Sequence, residues 1–224
     1  MHNFAVHHGY SDFEVKAIHL ASVIYSDKYK ISYFQKPSDV PAWFIPLGDI
    51  PWVSEVHGNL PRPDYYPDFL HHLLYRKVWE TDVYPMEKGI FIKPSDIPKR
   101  FQARITTGTY KGKKKPPFWC SEVVSFVNEW RLYFVAGKIV HIGWYDGIND
   151  DDILFPLDQV DLTTVPDNFY GVIDLGELST GEIALVEAAE SYSMGWYGRL
   201  SEGHIYADFV AAGWHNHLAL LRKI

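Results

Sequence analysis

Four charged residues of this chain have types and settings that suit phosphate chemistry. Lys93 ends the run Gly89-Ile90-Phe91-Ile92-Lys93-Pro94, and Arg131 lies in Asn128-Glu129-Trp130-Arg131-Leu132-Tyr133-Phe134. Asp174 interrupts Val172-Ile173-Asp174-Leu175-Gly176, and Glu187 closes Ala184-Leu185-Val186-Glu187. Lysine meets a phosphate as a compact point charge, and arginine grips one with a two-pronged fork. Magnesium takes oxygen ligands and commonly only one or two protein carboxylates. Two cations and two carboxylates, each borne on its own strand, can hold a triphosphate and its magnesium from several sides. No P-loop sequence is present to do this by another route.

Taken singly, these residues have ordinary readings. Lys93 would be a strand-end lysine, and Arg131 with Glu129 would be the polar face of a hairpin alternating with Trp130 and Leu132. Asp174 and Glu187 are harder to dismiss, because a carboxylate inside an apolar strand is costly to bury without a partner. Other candidates carry less. His7-His8, His71-His72 and His215-Asn216-His217 lack a matched cluster at zinc spacing. Asp150-Asp151-Asp152 lacks the glycine and glutamate of a calcium loop and reads as a solvated turn. The single cysteine, Cys120, sits beside Trp119 in an expected strand and reads as a small packed hydrophobe. Gly-x-Ser-x-Gly does not occur, so a serine hydrolase has no anchor.

The elements that must carry these residues change character along the chain. Ser11 or Asp12 caps a helix with Phe13, Ala17, Ile18, Ala21 and Ile24 on one side, and Tyr29 to Phe34 reads as a strand. A Pro- and Gly-rich stretch from Pro37 to Pro67 holds short extended pieces at Trp43-Phe44-Ile45 and Ile50-Pro51-Trp52-Val53. Phe69, Leu70, Leu73, Leu74 and Val78 then recur at helical spacing. From Gly89 onward strand signals dominate. Phe118 to Val127 is β-branched and aromatic. Trp130 to Tyr145 reads as a hairpin turning at Ala136-Gly137, and two more strands follow, joined by Leu178-Ser179-Thr180-Gly181. His204 to Leu221 reads as a closing helix that packs through Ile205, Phe209, Val210, Trp214 and Leu218. The basic, glycine-containing segment Thr106 to Lys115 lies between two strands and reads either as a flap over phosphates or as a solvated hairpin.

With 224 residues, 47% hydrophobic, the chain has room for one compact domain or two small lobes around a real core. A formal charge of −7 argues against broad binding to nucleic acid or an anionic membrane. A lone cysteine, no basic-then-apolar start and no membrane-length apolar run together lead to the expectation of a soluble cytoplasmic protein. The 16% aromatic content leaves room for an exposed patch and a homodimer.

Strand-Lys-Pro, a basic glycine-containing loop, Ser121-Glu122-Val123-Val124, Glu129-Trp130-Arg131, Asp174 and Val186-Glu187, in that order, resemble the ATP-grasp superfamily. The likeness is to its compact phage and bacterial members and covers residues 88 to 200 well. It implies an α+β fold, with antiparallel sheets and helices in two lobes around ATP. The expected division is an ATP-grasp domain over residues 88–224, preceded over 1–87 by a small α/β pre-ATP-grasp domain.

The resemblance also implies roles. Lys93 would contact the α- and β-phosphates, and Lys99 or Arg100 would add a second cation. Glu122, Val123 and Val124 would form the hinge that receives adenine through backbone groups. Arg131 would face the γ-phosphate or an acyl phosphate, and Asp174 and Glu187 would hold magnesium. The family usually reads Glu-x-Asn at the last metal strand, but here the sequence is Glu187-Ala188-Ala189-Glu190, which makes Glu190 the substitute ligand to consider. The implied activity is ATP-dependent ligation of a small-molecule or peptide carboxylate to an amine or thiol. The alternative is a nucleotide-binding module with little catalysis, acting through a protein partner in virus–host conflict. Tyr192 to Arg199 and Trp43 to Tyr66 are the expected substrate loops.

Overall fold

The computed structural model describes residues 1–58, 60–109, 116–147 and 153–221. The lysine run Lys111–Lys115 and the acidic run Asp150–Asp152 lie outside the described residues.

Three strands open the fold: β1 (His2–His7), β2 (Tyr29–Phe34) and β3 (Ile45–Leu47). They form a parallel sheet in the order β2-β1-β3. The central strand buries Phe4, Ala5 and Val6 in succession, as a parallel strand covered on both faces must. Helix α1 (Phe13–Ile24) buries Val15, Ala17, Ile18 and Ala21. Phe13 and Ile24, expected on that stripe, are exposed, because the buried face centres on Val15 and Ile18 and the ends of the helix turn outward.

Two expected elements come out differently. Ile50-Pro51-Trp52-Val53 is not extended but opens helix α2 (Ile50–His57). Asp49 caps it by accepting a hydrogen bond from the Trp52 backbone N–H at 3.0 Å, and Pro51 sits in the first turn, where no intrahelical N–H is needed. The helix expected from Phe69 to Val78 is only a 3-10 turn, Asp68–Leu73. Tyr75 adopts the left-handed region, φ 48°, and Val78-Trp79 joins strand β4 (Val78–Thr81). Pairing of these β-favouring side chains outweighs their helical spacing.

The remaining strands make two antiparallel sheets. Strands β5 (Lys88–Pro94), β6 (Arg104–Thr107) and β7 (Phe118–Glu122) join β4 in the order β4-β7-β5-β6. So β4, which precedes residue 87, pairs with β7 well beyond it. Strands β8 (Phe126–Val135), β9 (Lys138–Gly147), β10 (Gly171–Leu178) and β11 (Ile183–Glu190) form the order β11-β10-β8-β9. The strand-like stretch Phe118 to Val127 is divided between the two sheets: β7 ends in one, and β8 begins in the other after three residues. The hairpin turn at Ala136-Gly137 forms as expected, with φ of 50° and 68°, the mirror-image turn that matches strand twist.

Helix α3 (Gly203–Leu221) closes the chain. One apolar core joins β1, β2, β3, α1, α2 and α3 to Tyr133 and Val172 of the β8-β10 sheet. A second core fills the opposite face of that sheet, with Trp130, Leu132, Ile173, Leu175 and Leu185. No helix among the described residues is long and apolar enough to cross a membrane.

The packing of α2 on α3 has a consequence for acid stability. The rings of His57 and His217 lie 4.7 Å apart, and His217 is buried. Burial, and then His57, lowers the pKa of His217 from its ordinary 6.5. The unfolded chain therefore binds a proton that the fold refuses, and stability falls as pH drops below about 6.5. Denaturation midpoints of the wild type and His217→Gln between pH 5 and 8 test this. Their difference is expected to be constant above pH 7 and to shift in favour of the variant at acid pH. A difference independent of pH would contradict it.

Candidate functional site

The register of the β8-β10-β11 sheet sets Arg131 opposite Asp174, and Asp174 opposite Glu187. Directly opposed residues share a sheet face, so the three side chains form a row across three strands. Their neighbours Trp130, Leu132, Ile173 and Leu185 point the other way, into the second core. The row survives because a bulge follows Asp174 and resets the pairing to Leu175–Leu185.

Asp174 is 2% exposed and Arg131 9%. Such charges persist in a fold only when paired. Arg131 donates from Nε to Asp174 Oδ1 at 2.7 Å and from Nη2 to Oδ2 at 2.6 Å, a fork-to-fork pair. Burial alone would lower the guanidinium pKa, but the Asp174 carboxylate outweighs it and holds the group well above its ordinary range. The stacked rings of Tyr145 and Tyr197, 4.9 Å apart, lie beside the guanidinium at 5.7 and 5.1 Å. Tyr145 donates to Glu129 at 2.6 Å, and Tyr133 donates to the Gly195 carbonyl at 2.7 Å. This ties the row to the segment after β11.

Lys93 comes from the other antiparallel sheet. The residue is 5% exposed, and its ammonium donates to Glu187 Oε2 at 2.8 Å and lies 3.7 and 4.4 Å from the ring centres of Tyr65 and Tyr66. Burial would raise the Glu187 carboxyl, but Lys93, with Arg131 and Lys99 beyond it, brings it below the usual carboxylate range. Lys93 and Glu187 thereby bridge the two antiparallel sheets.

Two cavities meet at this bridge, since Lys93 and Glu187 line both. The smaller, about 240 Å³, is a slot walled by Phe91, Glu122, Val123, Val124 and Val186. It therefore opens on the link where the chain passes from β7 to β8. Glu122 is pinned at that link by accepting from the Lys77 N–H at 2.8 Å. The larger cavity, about 430 Å³, lies on the other side of Lys93.

Of the two neighbouring cations, Lys99 lines the larger cavity, with φ 55°, while the Arg100 guanidinium bonds the Pro116 and Pro117 carbonyls and pairs with Asp96 at 3.2 Å. Strand alternation puts Glu190 on the face opposite Glu187. Glu190 reaches the larger cavity from the strand end, where burial and then Asp64 raise its carboxyl. The structure thus brings together Lys93, Arg131, Asp174 and Glu187, and leaves Arg100 and Glu190 apart from that row. No group of three or more His, Cys, Asp or Glu converges on a metal position among the described residues. Cys120 is buried, which pushes its thiol up to about 11 and away from nucleophile chemistry.

The sequence pattern gives no sign of Tyr65 and Tyr66 beside Lys93 or of Tyr145 beside Arg131, although the first two fall within the loop stretch singled out for substrate. Arg76, which lines the slot and whose guanidinium bonds the Leu185 and Val186 carbonyls, is equally silent.

A family model described as an ATP-grasp domain, the second family of its clade, matches residues 73–206, more than half of the chain. The chain belongs to the ATP-grasp family. Solved ATP-grasp structures share its fold. D-alanine–D-alanine ligase from Bacillus anthracis matches with TM-score 0.50 at 11% identity, over 100% of this chain and 99% of that one. A RimK-domain ATP-grasp protein from Sphaerobacter thermophilus matches with TM-score 0.52 at 9% identity, over 93% and 99%. The ATP-grasp ligase PsnB, complexed with a minimal precursor, matches with TM-score 0.52 at 11% identity, over 96% and 99%. At such identities the likeness is one of fold. No curated protein matches the sequence. In this ATP-grasp chain Lys93 and Glu187 join the two antiparallel sheets beside the slot at Glu122–Val124.

Proposed function

We propose that this ATP-grasp chain is an ATP-dependent ligase that joins a carboxylate to an amine or thiol through an acyl phosphate. The observation that carries the reading is the Lys93–Glu187 bridge at the junction of the two cavities, beside the buried row Arg131–Asp174. The slot at Glu122, Val123 and Val124 would receive adenine, leaving the phosphates to run past Lys93 toward Lys99. A substrate carboxylate in the larger cavity would attack the γ-phosphorus. The bond to the β-phosphate oxygen breaks, and ADP leaves with the electron pair. The amine then attacks the acyl carbon, the carbon–oxygen bond breaks, phosphate departs, and the amine proton passes to solvent. No protein nucleophile is needed, and the protein's share is positioning and electrostatic stabilisation.

The residues fit magnesium carried on phosphate oxygens, because such sites need only one or two protein carboxylates. Glu187 would hold it, with Asp174 next to it in register and already engaged by Arg131. The ion would neutralise phosphate charge.

Ala189, at the position where the family usually carries asparagine, favours a second reading. The chain would bind nucleotide with little catalysis and act through a partner. ADP release decides between them. A carboxylate and an amine supplied together with magnesium-ATP are expected to stimulate it, with an amide as the other product. Nucleotide binding without ADP release from any pair would leave the binding module standing alone.

A further inference from the structure

Ala189 does more than omit a ligand. It shares a strand face with Glu187 and forms part of the wall of the larger cavity. Tyr65, Pro61, Pro63, Tyr192 and Met194 lie on the same wall, and the carboxylates of Glu187 and Glu190 line it too. Its proline and aromatic rings give the wall rigid apolar stretches. At about 430 Å³ the space lies in the range of small organic ligands, whose sites are mainly apolar with a few placed charges. The cations on its wall are Lys93 and Lys99. Lys93 and Glu187 are shared with the slot, and the charge of Lys99 acts on Glu187 from the larger cavity. Asparagine at position 189 would add a polar amide to this wall, whereas alanine presents only a methyl group.

We infer that the larger cavity is the site of the acid substrate, that this acid carries an aromatic or branched alkyl body, and that Ala189 sets that preference. The carboxylate lies toward Lys93 and Lys99 and the apolar body lies against Tyr65, Tyr192, Met194 and Ala189. The inference rests on the ligase reading and narrows its substrate to apolar carboxylic acids rather than small hydrophilic ones.

Calorimetric titration of the whole chain with 3-phenylpropionate and with acetate, in magnesium and a non-hydrolysable ATP analogue, tests it. The aromatic acid is expected to bind at least tenfold more tightly than acetate. Ala189→Phe, which narrows the cavity beside the apolar body, is expected to weaken the aromatic acid at least tenfold while the analogue still binds. That retained nucleotide binding also reports an intact fold. Ala189→Asn, a smaller change, is expected to weaken the aromatic acid in the same direction. Equal binding of both acids, or aromatic-acid binding indifferent to both substitutions, would overturn the inference. ADP release stimulated by acetate or hydrophilic acids alone would overturn it too, while leaving the ligase reading intact. Conversely, 3-phenylpropionate binding that Ala189→Phe abolishes, with no ADP release from any acid and amine, would retain the apolar acid site and remove the ligase reading.

Discussion

Asp174→Ala is expected to destabilise the fold by about 3–5 kcal/mol, the range for removing one partner of a buried ion pair. The cause is what the substitution leaves behind. Arg131 would keep its charge at a position 9% exposed, with neither prong of its fork answered. Tyr145 and Tyr197 would still flank it, but ring faces offset only part of a lost carboxylate. Replacing both residues, as in Arg131→Met with Asp174→Leu, removes the two charges together and is expected to recover most of the loss. Urea denaturation of the three proteins measures this. A loss of under about 1 kcal/mol for Asp174→Ala would place the pair among weak surface contacts and contradict the buried row.

Lys93→Ala is expected to weaken ATP by roughly ten- to a hundredfold, the size of a lost charge-assisted hydrogen bond of about 1.5–3 kcal/mol. Adenosine, which has no phosphate, is expected to stay within about twofold, since a base bound at the Glu122–Val124 backbone does not call on the ammonium. The substitution also strips Glu187 of its partner at 2.8 Å, leaving a carboxylate that repels phosphate. Both effects act on ATP alone. Titration of wild type and variant with ATP and with adenosine separates them from general damage to the site, and equal losses for both ligands would contradict a phosphate role.

Much of the site was legible because it violates the local pattern. Asp174 between Ile173 and Leu175, and Glu187 after Val186, are carboxylates where a strand should be apolar, and Lys93 ends an apolar run. What could not be read was who meets whom. The row of Arg131, Asp174 and Glu187 depends on pairing of β8, β10 and β11 and on the bulge after Asp174, and no single-strand pattern encodes either. The choice between Lys99 and Arg100 was closed to the sequence for the same reason, since the Pro116 and Pro117 carbonyls that take up Arg100 arrive from a distant segment. Glu190 is the converse case. Strand alternation alone, over a spacing of three residues, turns it away from Glu187. In the fold, the late strands and α3 carry clear periodic signals. The first part misleads at α2, where Asp49 and Pro51 are the start signal inside a Pro- and Gly-rich stretch, and at Phe69 to Val78, where tertiary pairing overrides helical spacing.

The most direct measurement of the central claim is calorimetric titration of the wild type and Glu187→Gln with ATP, with and without magnesium. Wild type is expected to bind ATP more tightly with magnesium than without it. Glu187→Gln is expected to lose that increment, with thermal unfolding confirming that it remains folded. Wild-type binding indifferent to magnesium, or a magnesium increment that survives Glu187→Gln in full, would contradict a magnesium–nucleotide site built on Lys93 and Glu187.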